Sequence, residues 1–188
     1  MNLPTKITIV RILLIPFMVV AFYLTMLPYN LNYIISTALF VLASCTDFLD
    51  GHLARSRGEV TDLGKFLDPI ADKILVVAGL FLIVDMHLMP FIWGSVMCLI
   101  ILSREFIISA LRQMAATKGL VLSANNLGKI KTVILNVAMP FLMLGPVIGF
   151  LYYIGIVLFI IGFLITLISG IYYLIDNKKV FENERTDN

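Results

Sequence analysis

The sequence predicts an all-α integral membrane protein with six transmembrane helices and a short N-terminal interfacial helix. Of its 188 residues, 60% are hydrophobic, where an ordinary soluble domain has about 45–50%. The mean hydropathy is +0.99. The basic residues are grouped: Lys6 and Arg11, then Arg55, Arg57, Lys65 and Lys73, then Arg104, Arg112, Lys118, Lys129 and Lys131, then Lys178, Lys179 and Arg185. The turns near residues 28–31, 85–90 and 145–152 hold none. By the positive-inside rule the basic groups face the cytoplasm and the bare turns face out, which requires an even number of spans. A formal net charge of only +2 indicates no polybasic surface for nucleic acid. The length suits one membrane-embedded domain over residues 1–188.

Residues 1–11 are amphipathic, with Leu3, Ile7 and Val10 among Asn2, Thr5, Lys6 and Thr8, and suit the membrane interface. The first span follows to about residue 27, with Pro16 expected to kink it. This apolar run is long and lacks a small-residue cleavage site, so it does not read as a signal peptide. Tyr29 and Tyr33 anchor the outer turn. The second span starts near residue 31 and continues unbroken into Asp47 and Arg55. Residues 56–61 form a cytoplasmic loop, and Thr61 or Asp62 caps a third span that runs to about residue 86. His87 is a surface residue of the next outer turn.

The fourth span covers about 90–116, apolar first and carrying Arg104, Glu105 and Arg112 later. A polar loop, 118–126, leads to a fifth span from about 127 with Lys129 and Lys131 in its first turns and a bend at Pro140. The sixth span, about 151–175, is apolar throughout, and 177–188 is a polar tail. Cys45 and Cys98 sit in apolar runs without metal spacing and read as buried small hydrophobes.

The chemistry concentrates between residues 47 and 72. Asp47 and Asp50 are three apart, Asp68 and Asp72 four apart, so each pair shares a helix face. Ala54 lies on the first stripe and Gly64 on the second. If the two helices face each other, four carboxylates converge. Like charges in a partly apolar setting repel and persist only with cations. Carboxylates suit hard divalent ions such as Mg²⁺, which also bridge phosphates. Solvated helix ends with scattered acids are the bland alternative, and the flanks are too apolar for it. Pro69, beside Asp68, either opens the helix at the acids or simply kinks it.

The basic residues of spans four and five lie at the same depth as the acids. This predicts a polar cavity open to the cytoplasm and the inner leaflet. Four acids stand on one side, and Arg112, Lys129 and Lys131 on the other suit a second anionic group. Arg104 and Glu105 read as a buried ion pair or as partners within the bundle. Lys129 has a plain alternative as a snorkelling charge, as does Arg55.

Asp47, Asp50, Gly51, Ala54, Arg55, Gly64, Asp68 and Asp72 form the pattern Asp-x-x-Asp-Gly-x-x-Ala-Arg, eight residues, Gly-x-x-x-Asp-x-x-x-Asp. It resembles the signature of the CDP-alcohol phosphotransferases, with every fixed position matched. The opening NLPTKITIVR, with Asn2, Pro4, Thr8 and Arg11, resembles the bacterial phosphatidylglycerophosphate synthases within that family, although Thr5 stands where many members have Asn. SREFIISALR (Ser103, Arg104, Glu105, Arg112) and GKIKT (Gly128, Lys129, Lys131, Thr132) resemble them too, while Leu135 replaces a frequent Gln.

The resemblance implies transfer of the phosphatidyl group from CDP-diacylglycerol to sn-glycerol-3-phosphate, giving phosphatidylglycerophosphate and CMP. It implies Asp47, Asp50 and Asp68 as main ligands of Mg²⁺ or Mn²⁺, two ions, with Asp72 as general base that also touches a metal. Gly51, Ala54, Arg55 and Gly64 fall on the nucleotide side, where side-chain-free glycines admit a close approach. Thr8 and Arg11 either reach the nucleotide phosphates or anchor the interface. Arg112, Lys131 and Lys129 are placed for the acceptor phosphate. A homodimer in the bacterial cytoplasmic membrane, with termini and site inside, is also implied. Other acceptors (serine, an inositol phosphate, phosphatidylglycerol) remain open at this point, as do a small cation transporter and a non-catalytic scaffold. Clustering of the acids at one face speaks against the transporter, and their intact spacing against the scaffold.

A topology experiment follows from the charge pattern. In intact cells, an impermeant thiol reagent added outside is expected to label His87→Cys and to miss Ser56→Cys. Labelling at position 56 would remove the six-span arrangement.

Overall fold

The computed structural model describes residues 3–57, 62–85, 87–88, 91–117, 119, 122 and 126–177, with side chains left out of that description at 3, 4, 47–57, 62, 63, 65 and 91. Six α-helices occupy almost all of it: α1 (Leu3–Tyr23), α2 (Leu31–Arg57), α3 (Asp62–Asp85), α4 (Phe91–Thr117), α5 (Asn126–Leu144) and α6 (Gly149–Asp176). A 3₁₀ turn, Pro28–Asn30, precedes α2. Thr61, Lys118 and the tail beyond Asn177 lie outside the described residues.

The cross-links between helices give their directions. Asn32 Nδ2 donates to the Phe22 carbonyl and Ser36 Oγ to that of Met18, each at 2.9 Å, so α1 and α2 are antiparallel. Thr8 pairs with Asp68 and Tyr23 with Asp85, so α1 and α3 run parallel. Gly155 abuts Leu142 and Gly162 abuts Leu135, so α5 and α6 are antiparallel. Arg104 reaches Ser169 and Arg112 reaches Tyr173, which sets α4 parallel to α6. The first turns of α1, α3 and α5 and the last turns of α2, α4 and α6 therefore meet at one end, and that end carries the basic residues.

The opposite half is apolar. Phe22, Phe40, Leu82, Ile83, Met139, Leu142 and Phe159 are fully buried there. Gly79 sits at its centre, where a Cβ would come within 2.7 Å of Met139 Sδ and 2.9 Å of the Phe40 ring. Lipid tails are as apolar as leucine, so burial alone does not drive helices together in a bilayer. Close backbone approach at small residues does so instead.

Four helical stretches, Thr5–Tyr23, Ile92–Thr117, Asn126–Leu144 and Gly149–Asp176, are long and apolar enough to cross a membrane. At 27 and 24 residues α2 and α3 have the length. The apolar run of α2 stops at Asp47, however, and that of α3 starts only after Lys73. The architecture is a multi-pass, all-α membrane protein.

Three expectations change. No separate interfacial helix precedes the first span, because α1 runs without a break from Leu3, through Pro16, to Tyr23. Its polar residues Thr5, Thr8 and Arg11 are 2%, 1% and 0% exposed, on the same face as buried Ile15, Met18 and Phe22. The physical reason is that partners in the bundle, Asp68 among them, take up these polar groups, so the membrane interface is not needed to hydrate them. The first helix also ends earlier than residue 27, as Leu24 and Leu27 turn back onto the Ala21 and Leu24 carbonyls. Cys98 is buried, but Cys45 is exposed, because it faces a cavity instead of the core.

The two glycines of the α5–α6 contact differ in what surrounds them. A Cβ at Gly155 would lie 2.8 Å from the Leu142 backbone nitrogen, while one at Gly162 meets the Leu135 side chain at 2.7 Å. Backbone cannot yield as a side-chain tip can. Gly155→Ala is thus expected to cost about 1–3 kcal/mol through overpacking, and Gly162→Ala less. Thermal melts of the two purified variants check the order.

Candidate active site

Asp68 and Asp72 stand one turn apart on α3, whose helix continues through Pro69 without a break. Thr8 Oγ1 of α1 donates to Asp68 Oδ1 at 2.8 Å. An ionised carboxylate has about four lone-pair sites, so the Thr8 contact leaves most of them for other partners. Gly64 is buried near the start of the same helix. Asp47, Asp50, Gly51, Ala54 and Arg55 lie on the charged half of α2, and their side chains are outside the described residues. Among the described residues no group of three or more His, Cys, Asp or Glu side chains converges. The donor chemistry of Asp68 and Asp72, hard oxygens on one helix face, fits a hard divalent ion that takes further ligands from a neighbouring helix.

A cavity of about 1180 Å³ opens beside these acids, between α2, α3, α4 and α5. Asp72 and Lys73 of α3 line it, with Arg104, Glu105, Ser109 and Arg112 of α4 and Lys129 and Lys131 of α5. Among the described residues that line it, five basic groups stand against two acidic ones, a balance that suits anions. Asp72 of α3 and the basic groups of α4 and α5 thus share one space, as the depth of these residues in the sequence predicts.

Most of the basic groups are held in place. Lys131 is 4% exposed and its ammonium donates to Glu105 Oε1. Arg104 Nη1 donates to the same carboxylate oxygen at 3.1 Å, and its Nη2 donates to Ser169 Oγ of α6 at 3.0 Å. Arg104 and Glu105 are therefore an ion pair, and the pair also binds α4 to α5 and α6. Asp72 lies within electrostatic reach of Lys131. Lys73 donates to Ser109 and lies over the Phe106 ring at 5.7 Å. Arg112 uses Nε to reach Tyr173 Oη at 3.2 Å, with its guanidinium 5.4 Å from the ring centroid. Among the described residues, neither Nη group of Arg112 makes a hydrogen bond. Lys129 is exposed at the cavity wall.

The description of the CDP-alcohol phosphatidyltransferases matches residues 1–168, a span that includes the acids, the cavity and all the basic groups above. The chain belongs to the CDP-alcohol phosphatidyltransferase family. Curated relatives named CDP-diacylglycerol–glycerol-3-phosphate 3-phosphatidyltransferase cover it almost completely. The one from Salmonella choleraesuis is 39% identical over 175 residues, which is 92% of this chain and 93% of that protein. The one from Rickettsia felis is 38% identical over 184 residues, 96% and 97% of the two chains. A third, from Haemophilus influenzae, is 49% identical over 118 residues, 63% of this chain and 61% of that protein.

In this member of the phosphatidyltransferase family, α6 takes part in the site, which the apolar reading of that span missed. Thr166, Ser169, Gly170 and Tyr173 are buried on one stripe. Ser169 and Tyr173 hold the two arginines, and a Cβ at Gly170 would lie 3.0 Å from Arg104 Cγ. The signal was present as spacings of three, four and seven. Hydropathy hides it, because small and amphipathic residues barely lower an apolar average.

Glu105 neutralises two cations, so its loss should be felt through Lys131. In a double-mutant cycle, Glu105→Gln and Lys131→Met are expected to couple by about 0.5–3 kcal/mol. Each single variant should melt below the wild type. Strict additivity in the melts of the single and double variants would contradict a structural Glu105–Lys131 pair.

Proposed function

We propose that the protein transfers the phosphatidyl group of CDP-diacylglycerol to sn-glycerol-3-phosphate, yielding phosphatidylglycerophosphate and CMP. One observation carries the reading: Asp72 and the basic residues Arg112, Lys129 and Lys131 line the same cavity. A carboxylate suited to take a proton thereby shares a space with groups suited to hold a phosphate. Glycerol-3-phosphate offers both the proton and the phosphate. Serine carries no phosphate for Arg112 to grip, which favours the phosphorylated acceptor. The names of the near full-length relatives support the same choice.

Asp47, Asp50, Asp68 and Asp72 would hold divalent cations, Mg²⁺ or Mn²⁺, whose chemistry when bound is to neutralise the pyrophosphate of the donor. Thr8 fixes Asp68 by its 2.8 Å hydrogen bond. Gly51, Ala54, Arg55, Gly64, Thr8 and Arg11 form the nucleotide side. Arg112, Lys131 and Lys129 hold the acceptor phosphate by charge-assisted contacts. Lys131 has three donors, so its bond to Glu105 leaves others for the ligand.

With both substrates oriented, the acceptor hydroxyl oxygen bonds to the phosphatidyl phosphorus as its proton passes to Asp72. The bond from that phosphorus to the bridging oxygen breaks, and CMP leaves with the electron pair. The site and both termini face the cytoplasm, which supplies the water-soluble acceptor, and the grouping of basic residues at one end of the bundle supports this orientation. The assembly is a homodimer in a bacterial cytoplasmic membrane.

The decisive assay mixes purified protein, CDP-diacylglycerol and Mg²⁺ with each candidate alcohol and counts CMP. Glycerol-3-phosphate is the expected acceptor. Rapid CMP release with serine alone would replace this reading. Asp72→Asn is expected to lower kcat by about 10²–10⁴-fold, the usual worth of a general base, with CDP-diacylglycerol still bound. Arg112→Ala and Lys131→Ala should mainly raise KM for glycerol-3-phosphate, by about 10–100-fold for each lost charge-assisted bond. Unchanged KM in both would remove the acceptor pocket.

A further inference from the structure

Lys73 is the basic group that the acid-bearing helix α3 brings into the cavity. It follows Asp72 in the chain, and both side chains line the same space. Two residues of α4 fix its ammonium, which donates to Ser109 Oγ and lies 5.7 Å from the centroid of the Phe106 ring. A hydroxyl and an aromatic face hold a cation without cancelling its charge. Among the described residues no carboxylate pairs with Lys73, whereas Arg104 and Lys131 share the carboxylate of Glu105.

The bond to Ser109 also sets where that charge stands. Glu105, Ser109 and Arg112 follow one another at helical spacing on α4, and all three line the cavity. Cβ atoms three residues apart on a helix are separated by about 5–6 Å. Arg112 leans back toward Ser109, because the Cα–Cβ bonds of a helix tilt toward its N-terminus. Its Nε is taken by Tyr173, and neither Nη group makes a hydrogen bond among the described residues. Lys73, docked on Ser109, therefore sets a second unneutralised cation about one helical turn from that guanidinium. Two such cations match a phosphate monoester, which carries about −1.5 to −2 charge at neutral pH. An ammonium has three donors, so the bond to Ser109 leaves the others for a ligand.

We infer that Lys73 is a further acceptor-binding residue, which grips the acceptor phosphate together with Arg112 while Ser109 positions its ammonium. The inference rests on the proposed reaction, since it takes the acceptor from it. It gives the adjacency of Asp72 and Lys73 a use: one takes the proton at the hydroxyl end of a three-carbon acceptor, and the other holds the phosphate end. It also makes Lys73 a specificity residue, because an acceptor without a phosphate leaves that cation unmatched.

The test titrates both substrates for Lys73→Met and Ser109→Ala. Both variants lose the contact between α3 and α4, but only the first loses the charge. Lys73→Met is expected mainly to raise KM for glycerol-3-phosphate, by about 10–100-fold for one lost charge-assisted bond, with KM for CDP-diacylglycerol unchanged. Lys73→Arg should recover most of that loss, and Ser109→Ala should raise the same KM less than Lys73→Met does. An unchanged KM in Lys73→Met, a loss confined to kcat, or equal losses in Lys73→Met and Ser109→Ala overturns the assignment. A second readout needs no folded variant. Reductive methylation of Lys73 in the wild type, followed by peptide mass, should slow about tenfold with glycerol-3-phosphate at ten times its Kd. Glycerol, which lacks the phosphate, should leave the rate unchanged. Equal rates with and without glycerol-3-phosphate, while CMP is still released, overturn the role of Lys73 and leave the reaction standing. No CMP release with glycerol-3-phosphate by the wild type overturns the reaction instead.

Discussion

The carboxylate of Glu105, bonded to Lys131 and Arg104 together, is the interaction on which the charged half of this protein depends. Ionised groups at membrane depth are costly unless paired or hydrated. One acid that serves two bases removes most of that cost and ties three helices at once, because Arg104 also reaches Ser169 of α6. Of the four helices apolar enough to span, α4 has the smallest buried share of its apolar window, 28%. Hydrocarbon contact alone holds it least, so polar bonds from Arg104, Glu105, Ser109 and Arg112 carry more of its attachment.

The two halves of the bundle divide the labour. The apolar half packs by close approach around Gly79, Gly155 and Gly162, which fixes where each helix axis lies. The charged half inherits those axes and places side chains on them. Thr8 meets Asp68 because α1 and α3 run parallel from the same end, and Tyr23 closes the other end on Asp85 at 2.5 Å. Preorganisation of this kind matters for a transfer between two anionic substrates, whose mutual repulsion must be overcome before the reacting atoms meet.

The substrates themselves demand an asymmetric site. One arrives dissolved in water, the other embedded in lipid. The cavity has a cluster of bases at one end and apolar side chains, Val41, Val137 and Phe141 among them, at the other. Arg112 has a particular place in this layout: Tyr173 orients its guanidinium through Nε and the ring face, and the other nitrogens point to no protein partner among the described residues.

What the sequence alone determined is the part governed by local spacing and by the cost of charge in hydrocarbon. The all-α class, the boundaries of α3 and α4 to within a residue or two, the start of α5, the grouping of the basic residues and the pairing of Arg104 with Glu105 were legible. So was the meeting of Asp72 with Arg112, Lys129 and Lys131, because depth in a bilayer is a coordinate that sequence position nearly supplies. Tertiary structure decided which faces meet. Whether Thr5, Thr8 and Arg11 lie at the interface or inside depends on α3 offering Asp68, sixty residues away from Thr8. The polar stripe of α6 gained meaning only when two arginines of α4 were set against it, and Cys45 became a cavity residue only through the gap between α2 and α5. An amphipathic stripe fixes a direction on its own helix, but the partner that occupies that direction is chosen by the packing of the others.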